Sequence, residues 1–243
     1  MRLGQTSVSS LFSCTLLLTA LPACSQPRPA HERPPPPTTN ATGMNDDHHA
    51  KWEKVISAYE AMDRAHPPRK GGVLFIGSST IGRWKTLDED FPNHRVINRG
   101  FGGSHIADAT HFAERVIFPH EPRMIFLRAG GNDVNAGKSP ERVLADYKAF
   151  VAKVHARLPK TRIVYISVSP SPANWRKRHV FQSLNSLIEN YTREHPYLAY
   201  LETFDMVLGP DGEPREELYV ADRLHLNAEG YRLLADRVRP LLP

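Results

Sequence analysis

The sequence predicts an α/β domain, a three-layer, flavodoxin-like arrangement built on about five parallel strands. Three observations carry this expectation. Beyond residue 50, short continuous apolar runs rich in β-branched residues alternate with longer amphipathic stretches, the pattern of strands buried on both faces and covered by helices. There are about five such repeats, few enough for a small doubly wound sheet. The N-terminal quarter of the 243 residues lacks apolar periodicity and is rich in Pro, Thr and His, so the remaining length suits one domain.

Residues 1–23 read as a secretory signal peptide: Arg2, then the apolar run LFSCTLLLTAL at 11–21, then small residues. The run is too short for a comfortable membrane span. The sequence LPAC at 21–24 resembles a bacterial lipobox, in which the Cys becomes the lipidated first residue of the mature protein, although Pro22 is an unusual occupant. Ordinary cleavage near Ala23, leaving Cys24 as a plain thiol, is the alternative. Cys14 lies inside the signal, so Cys24 has no intramolecular partner and no disulfide is expected; lipidation gives the leftover thiol a use. Residues 24–50 read as a Pro-rich linker with four consecutive prolines. His48 and His49 read there as a solvated pair, since no Cys or further His lies at ligand spacing, and no metal is expected. The chain is therefore expected to be exported, held to a bacterial envelope through Cys24 or otherwise periplasmic or secreted.

The formal charge is +5, with Lys and Arg scattered among Asp and Glu and no long basic block, so a nucleic-acid role has little support.

The domain at 51–243 opens with a helical stretch at 51–65, expected to pack across the sheet in a structural role. The strands follow as VLFIG (73–77), RVIN (95–98), MIFLRAG (124–130), RIVYISV (162–168) and a weaker LAYLETF (198–204). Helices are expected between them at 104–117, 140–157, 176–194 and 227–239. Ser139 precedes Pro140 and Glu141 as an N-cap before a favoured first-turn proline, and Asn227 precedes the last helix with Glu229 in its first turn.

Ligands of an open α/β sheet bind beyond the carboxyl ends of its strands. The segments there are FIGSST, NRGFGGSH and AGGND, joined by VADRLHLN before the last helix. Each residue taken singly has a plain structural reading. Ser79 suits a helix N-cap before TIGRW, Asn132 a turn that caps a strand end, and Gly100 and Gly102 turn geometry. GFGGSH also suggests a dinucleotide fingerprint, but His105 stands where the third glycine of GxGxxG belongs.

Together, in this order and context, Ser79, Gly103, Asn132, Asp222 and His225 resemble the blocks of the SGNH (GDSL-like) hydrolase family over roughly residues 72–242. The family's GDS aligns with Gly77, Ser78 and Ser79, with Ser78 replacing Asp; its GxND aligns with Gly130–Asp133 and its DxxH with Asp222–His225. The resemblance implies that Ser79 is the nucleophile and that its amide, Gly103 N–H and the Asn132 amide form the oxyanion hole. It implies further that His225 is the general base, oriented by Asp222 three residues earlier on one face of a helical turn. Asp133 is expected to hold local backbone or to orient the loop, not to act catalytically. No cofactor is implied.

The G-x-S-x-G elbow of the α/β-hydrolases is absent, because Ile81 occupies its last position. The expected function is a serine esterase acting on short acyl esters, acetyl above all, of a small molecule or carbohydrate. The alternatives are a lysophospholipase or thioesterase of the same family, or a tethered carbohydrate-binding protein on the same fold without turnover. A metal hydrolase would need clustered ligands, and Asp222, His225 and Asp133 are better used otherwise. The loop SPSPANWRKRH (169–179) brings Trp175 and several cations near the fourth strand's end, either bordering the substrate or as a solvated loop.

Overall fold

A computed structural model describes residues 45–243; the expected signal peptide, Cys24 and the linker up to residue 44 lie outside the described residues. Five strands run in the chain: β1 (Val73–Gly77), β2 (Val96–Gly100), β3 (Met124–Arg128), β4 (Arg162–Ile166) and β5 (Leu198–Leu201). They form one sheet in the order β2-β1-β3-β4-β5, every pair parallel. That is the flavodoxin-like order, whose switch point lies between β1 and β3. The register sets Gly77 opposite both Gly100 and Arg128, so the carboxyl ends of β1, β2 and β3 finish level with one another.

The helices are α1 (Asn45–Ala50), α2 (Glu53–Ala65), α3 (Ser79–Gly82), α4 (Leu87–Asp90), α5 (Ile106–His111), α6 (Ala113–Val116), α7 (Gly131–Asn135), α8 (Pro140–Arg157), α9 (Arg178–Arg193) and α10 (Ala228–Val238). Alternate strand residues feed two cores. Leu74, Ile76, Ile125, Leu127, Ile163 and Tyr165 join residues of α2, α5, α6, α8 and α9 on one face. Val73, Phe75, Phe126, Val164 and Ile166 join Ile81, Trp84, Leu87 and the apolar side of α10 on the other. Each such side chain contributes about 1.5–3 kcal/mol when fully buried, which is why these runs read as strands apolar on both faces.

Both predicted N-caps form: Ser139 Oγ accepts from Arg142 N–H at 3.3 Å, and Asn227 Oδ1 accepts from the N–H groups of Glu229 and Gly230. Other boundaries differ. β2 runs on to Gly100, because Asn98 and Arg99 pair with β1 although they are polar. The stretch at 104–117 breaks at Phe112 into α5 and α6, and a 3-10 turn at Pro172–Lys177 precedes α9. Gly100 is in strand, not turn; a Cβ there would lie 2.3 Å from Gly82 N, so it marks the close packing of α3 on β2.

Two N-terminal features were hidden in the sequence. Trp52, the residue before α2, and Ile56 within it are buried; Trp52 Nε1–H donates to Gly102 O at 2.9 Å while Tyr59 O–H of α2 donates to Gly100 O at 2.6 Å. Arg115 of α6 pairs with Glu53 and Glu60, docking α2 from outside. Helix α1 occupies the end of the stretch read as linker, and its histidines correct the expectation of a solvated pair. His48 Nε2 and His49 Nδ1 lie 3.1 and 3.2 Å from Asp108 Oδ1, and the His49 side chain is only 15% exposed. Asp108 is buried in the first turn of α5, where Oδ2 accepts from His105 N–H at 2.7 Å; the other oxygen needs donors, and a pair 60 positions away supplies them.

Candidate active site

The site begins at a glycine that nothing else could replace. Gly77 ends β1 with φ +142°, and a Cβ there would meet Arg128 O at 2.0 Å. This close approach lets Ser78 N–H donate to Arg128 O at 3.0 Å and turns the chain directly into α3. Ser79 is the first residue of α3, where amides have no intrahelical acceptor, and no described residue accepts its N–H. Tyr231 O–H donates to Thr80 O at 2.9 Å and Asn98 Nδ2–H to Ile81 O at 2.7 Å, fixing the turn against α10 and β2.

Asp222 and His225 come from a turn closed by the bridge between Tyr219 and Leu226. It is not the helical turn that the spacing suggested. Asp222 Oδ1 instead accepts from the N–H groups of Leu224 and His225, both at 2.9 Å, a side-chain capture of backbone that competes with helix. Asp222 Oδ2 lies 2.7 Å from His225 Nδ1, and His225 Nε2 lies 2.9 Å from Ser79 Oγ. A carboxylate can only accept, so Nδ1 carries the proton; Nε2 of the neutral ring is then an acceptor aimed at the serine hydroxyl. The His225 amide first, then its imidazole and the Leu224 amide, hold the Asp222 carboxyl far below the usual carboxylate range. This carboxylate is 42% exposed, whereas the imidazole is 14% exposed.

The loop after β2 comes beside the serine: a Cβ on Gly102 would sit 3.8 Å from Ser79 Cβ. Gly103 follows at φ +76°, a conformation costly for other residues, and no described residue accepts its N–H. Asn132 spends one amide hydrogen on Ser104 O at 3.0 Å, which fixes its plane and leaves the second available. Asp133 is buried, accepts from Ile106 N–H at 3.3 Å and is paired with Lys138 Nζ at 2.7 Å. Lys138 also reaches Asp146 of α8 at 2.8 Å, so the loops after β2 and β3 are tied to one another and to the scaffold.

Ser79, Asn132 and His225 line a cavity of about 80 Å³ whose wall also includes Arg128, Ser169 and Tyr219. Of the 169–179 loop, Ser169, Pro170, Ser171 and Asn174 line it; Trp175 lies instead under Arg178, 4.7 Å from its guanidinium. Arg128 was missed because it stands inside the run MIFLRAG and reads as one letter of an apolar strand. The available signal was a cation at the carboxyl end of such a strand. Among the described residues one group, His48, His49 and Asp108, sets three possible metal-ligand atoms within 4.8 Å of one another. There the buried carboxylate is bonded by the imidazoles themselves.

The profile of the GDSL-like lipase/acylhydrolase family matches residues 76–233. No curated protein matches the chain. Among solved structures, a Streptococcus pneumoniae protein provisionally named a platelet activating factor has 22% identity and a TM-score of 0.71, covering 79% of this chain and 92% of its own. A GDSL-like lipase from Bacteroides thetaiotaomicron has 20% identity and a TM-score of 0.65, covering 76% and 96%. An acetyl-xylooligosaccharide esterase from Geobacillus stearothermophilus has 16% identity and a TM-score of 0.58, covering 70% and 94%. At such identities the likeness is one of fold.

Proposed function

Because this chain belongs to the GDSL-like lipase/acylhydrolase (SGNH hydrolase) family and is a serine ester hydrolase, we propose that it removes short acyl groups, acetyl above all, from carbohydrate through an acyl-enzyme on Ser79. The observation that carries the proposal is the unbroken relay from Asp222 Oδ2 through His225 to Ser79 Oγ, at 2.7 and 2.9 Å, beside a small cavity.

In this reading Ser79 Oγ attacks the acyl carbon while His225 Nε2 takes its proton, and Asp222 stabilises the imidazolium and its orientation. The carbonyl oxygen becomes an oxyanion and accepts from Ser79 N–H, Gly103 N–H and the free hydrogen of Asn132 Nδ2. One such donor is worth about 10²–10³ in rate. The imidazolium then protonates the leaving alcohol. Water, deprotonated by His225, attacks the acyl-serine, and the free acid leaves as Ser79 Oγ recovers its proton.

The acyl preference rests on what the site offers for binding. A long chain draws about 0.8 kcal/mol from each buried CH₂, so an enzyme for such chains needs an apolar channel. Here the cavity is only about 80 Å³, and its wall sets Ser78, Ser169, Asn132, Asn135 and Arg128 beside the apolar Val168, Val207, Leu224 and Leu226, with more polar than apolar surface. The connections GSSTIGRW and GGNDVNAGKSP are short and supply no apolar lid. The test is kcat/KM along aryl esters from acetate to decanoate, then acetate release from acetylated xylan. We expect the maximum at two to four carbons (acetate to butyrate); an optimum at eight or beyond without acetate release favours a lysophospholipase or thioesterase instead. The proposal includes export, with the domain tethered to a bacterial envelope by a lipid on Cys24.

A further inference from the structure

Arg128 stands in the wall of the catalytic cavity, a cation without a counter-ion among the described residues. It ends β3, level with Gly77, and lies mostly buried on the sheet face that carries Tyr231 and α10. Its Nη1–H donates to the carbonyl of Ser167 across the end of β4, which fixes the guanidinium plane. Among the described residues neither Nε nor Nη2 has a hydrogen-bond acceptor and no carboxylate pairs with the guanidinium. Among the described residues that line the cavity there is no Asp or Glu. Glu202, an acid whose field Arg128 feels, spends its oxygens on the backbone of Phe204 and Asp205 and on Tyr200.

A mostly buried charge with no partner is costly, and proteins seldom keep one that nothing pairs. One side of this guanidinium is anchored, so its remaining Nε–Nη2 edge presents two parallel N–H donors in a fixed plane. That edge matches a carboxylate bidentately; a sugar hydroxyl offers one acceptor and leaves the charge unpaired. Ser78, Ser169 and Asn174 add neutral hydrogen-bonding groups to the same wall.

We propose that Arg128 is a specificity-determining residue that binds a carboxylate of the substrate, so that the preferred ester carries an acid group within a few bonds of the scissile linkage. The inference rests on the serine esterase reading and narrows its substrate class. The carboxylate can reside on the alcohol, as in an acetylated uronic acid, or on the acyl group, as in a half-ester of a dicarboxylic acid.

Two matched pairs of substrates test this with the full chain. Acetylated methyl glucuronide is compared with acetylated methyl glucoside, and the aryl half-ester of succinate with aryl butyrate. In one arm the acid should win by at least about tenfold in kcat/KM, mainly through KM, since the contact is made in ground and transition states alike. The winning arm identifies which side carries the carboxylate. In Arg128→Gln the ratio should fall to near one, and in Arg128→Lys part of it should remain. Equal rates within both pairs in the wild type overturn the inference, as does a preference that survives Arg128→Gln. If Arg128→Gln does not fold, the wild-type ratios together with a partial ratio in Arg128→Lys still decide. Failure here with neutral esters still turned over leaves the esterase reading intact, whereas turnover of no ester at all would remove that reading.

Discussion

Ser78 and Ser79 both line the cavity, yet only the Oγ of Ser79 meets His225 Nε2, while Ser78 sits in extended backbone one residue earlier. Ser79→Ala should therefore abolish turnover, and Ser78→Ala should keep a substantial fraction, as read by aryl acetate hydrolysis. A dead Ser78→Ala beside an active Ser79→Ala would mean that the first block has been misassigned. Asp222 makes a different prediction. Its depressed carboxyl contributes order to the 222–225 turn at all pH values above the usual carboxylate range, and that contribution is lost only as pH falls through its lowered folded value. Mild acidification should thus leave the turn intact. Asp222→Asn can still accept from the Leu224 and His225 amides but no longer stabilises an imidazolium, so we expect kcat to fall roughly 10³–10⁴-fold with the circular dichroism spectrum unchanged. A loss of tenfold or less would assign the orienting role elsewhere.

At the scale of elements, the strands were legible because burial on both faces leaves a continuous apolar run, and VLFIG was read with its observed limits. The N-caps of α8 and α10 were legible because Ser and Asn satisfy first-turn amides locally. What failed was whatever depends on distant partners. The 222–225 segment was read as helical because three-residue spacing fits a helix, and Asp222's capture of two amides decided otherwise. Helix α2 was expected only to pack, yet Trp52 and Tyr59 donate to Gly102 and Gly100 in the loop that carries Gly103. No local pattern encodes a contact across 50 positions. Trp52→Phe keeps most of the buried ring and removes the bond to Gly102 O, worth about 1 kcal/mol, so Tm should drop by roughly 2–4 °C. Because the loop it releases presents a proposed oxyanion donor, kcat should fall severalfold while KM changes little. A drop in Tm with kcat unaltered would make the clamp purely structural.

Across the whole molecule, the esterase domain follows what the sequence leads one to expect as a leader and a Pro-rich linker, and that expected order gives a last prediction. Ser25 to Met44 belong to the expected Pro-rich linker, which lies outside the described residues; polyproline chain in general advances about 3.1 Å per residue. Such a spacer is of use when one end is fixed, because it lets the domain reach polymeric substrate beyond the surface that holds it. Cys24 stands where the fixed end should be, with its single companion Cys14 inside the expected signal. One acyl chain alone binds a membrane reversibly, at about 0.8 kcal/mol per buried CH₂, whereas a multiply acylated N-terminal Cys holds stably. The mature protein should accordingly fractionate with membranes, leave them in detergent and carry the mass of a lipidated N-terminus at Cys24. Cys24→Ser should abolish the lipid mass and either release the domain to the soluble fraction or stall processing of the precursor. The catalytic domain is built from residues far along the chain, so released protein should hydrolyse aryl acetates with the kcat/KM of the detergent-solubilised form. Unchanged mass and membrane retention in Cys24→Ser would assign the tether to another segment, and a soluble wild type cleaved near Ala23 would show that export ends in release.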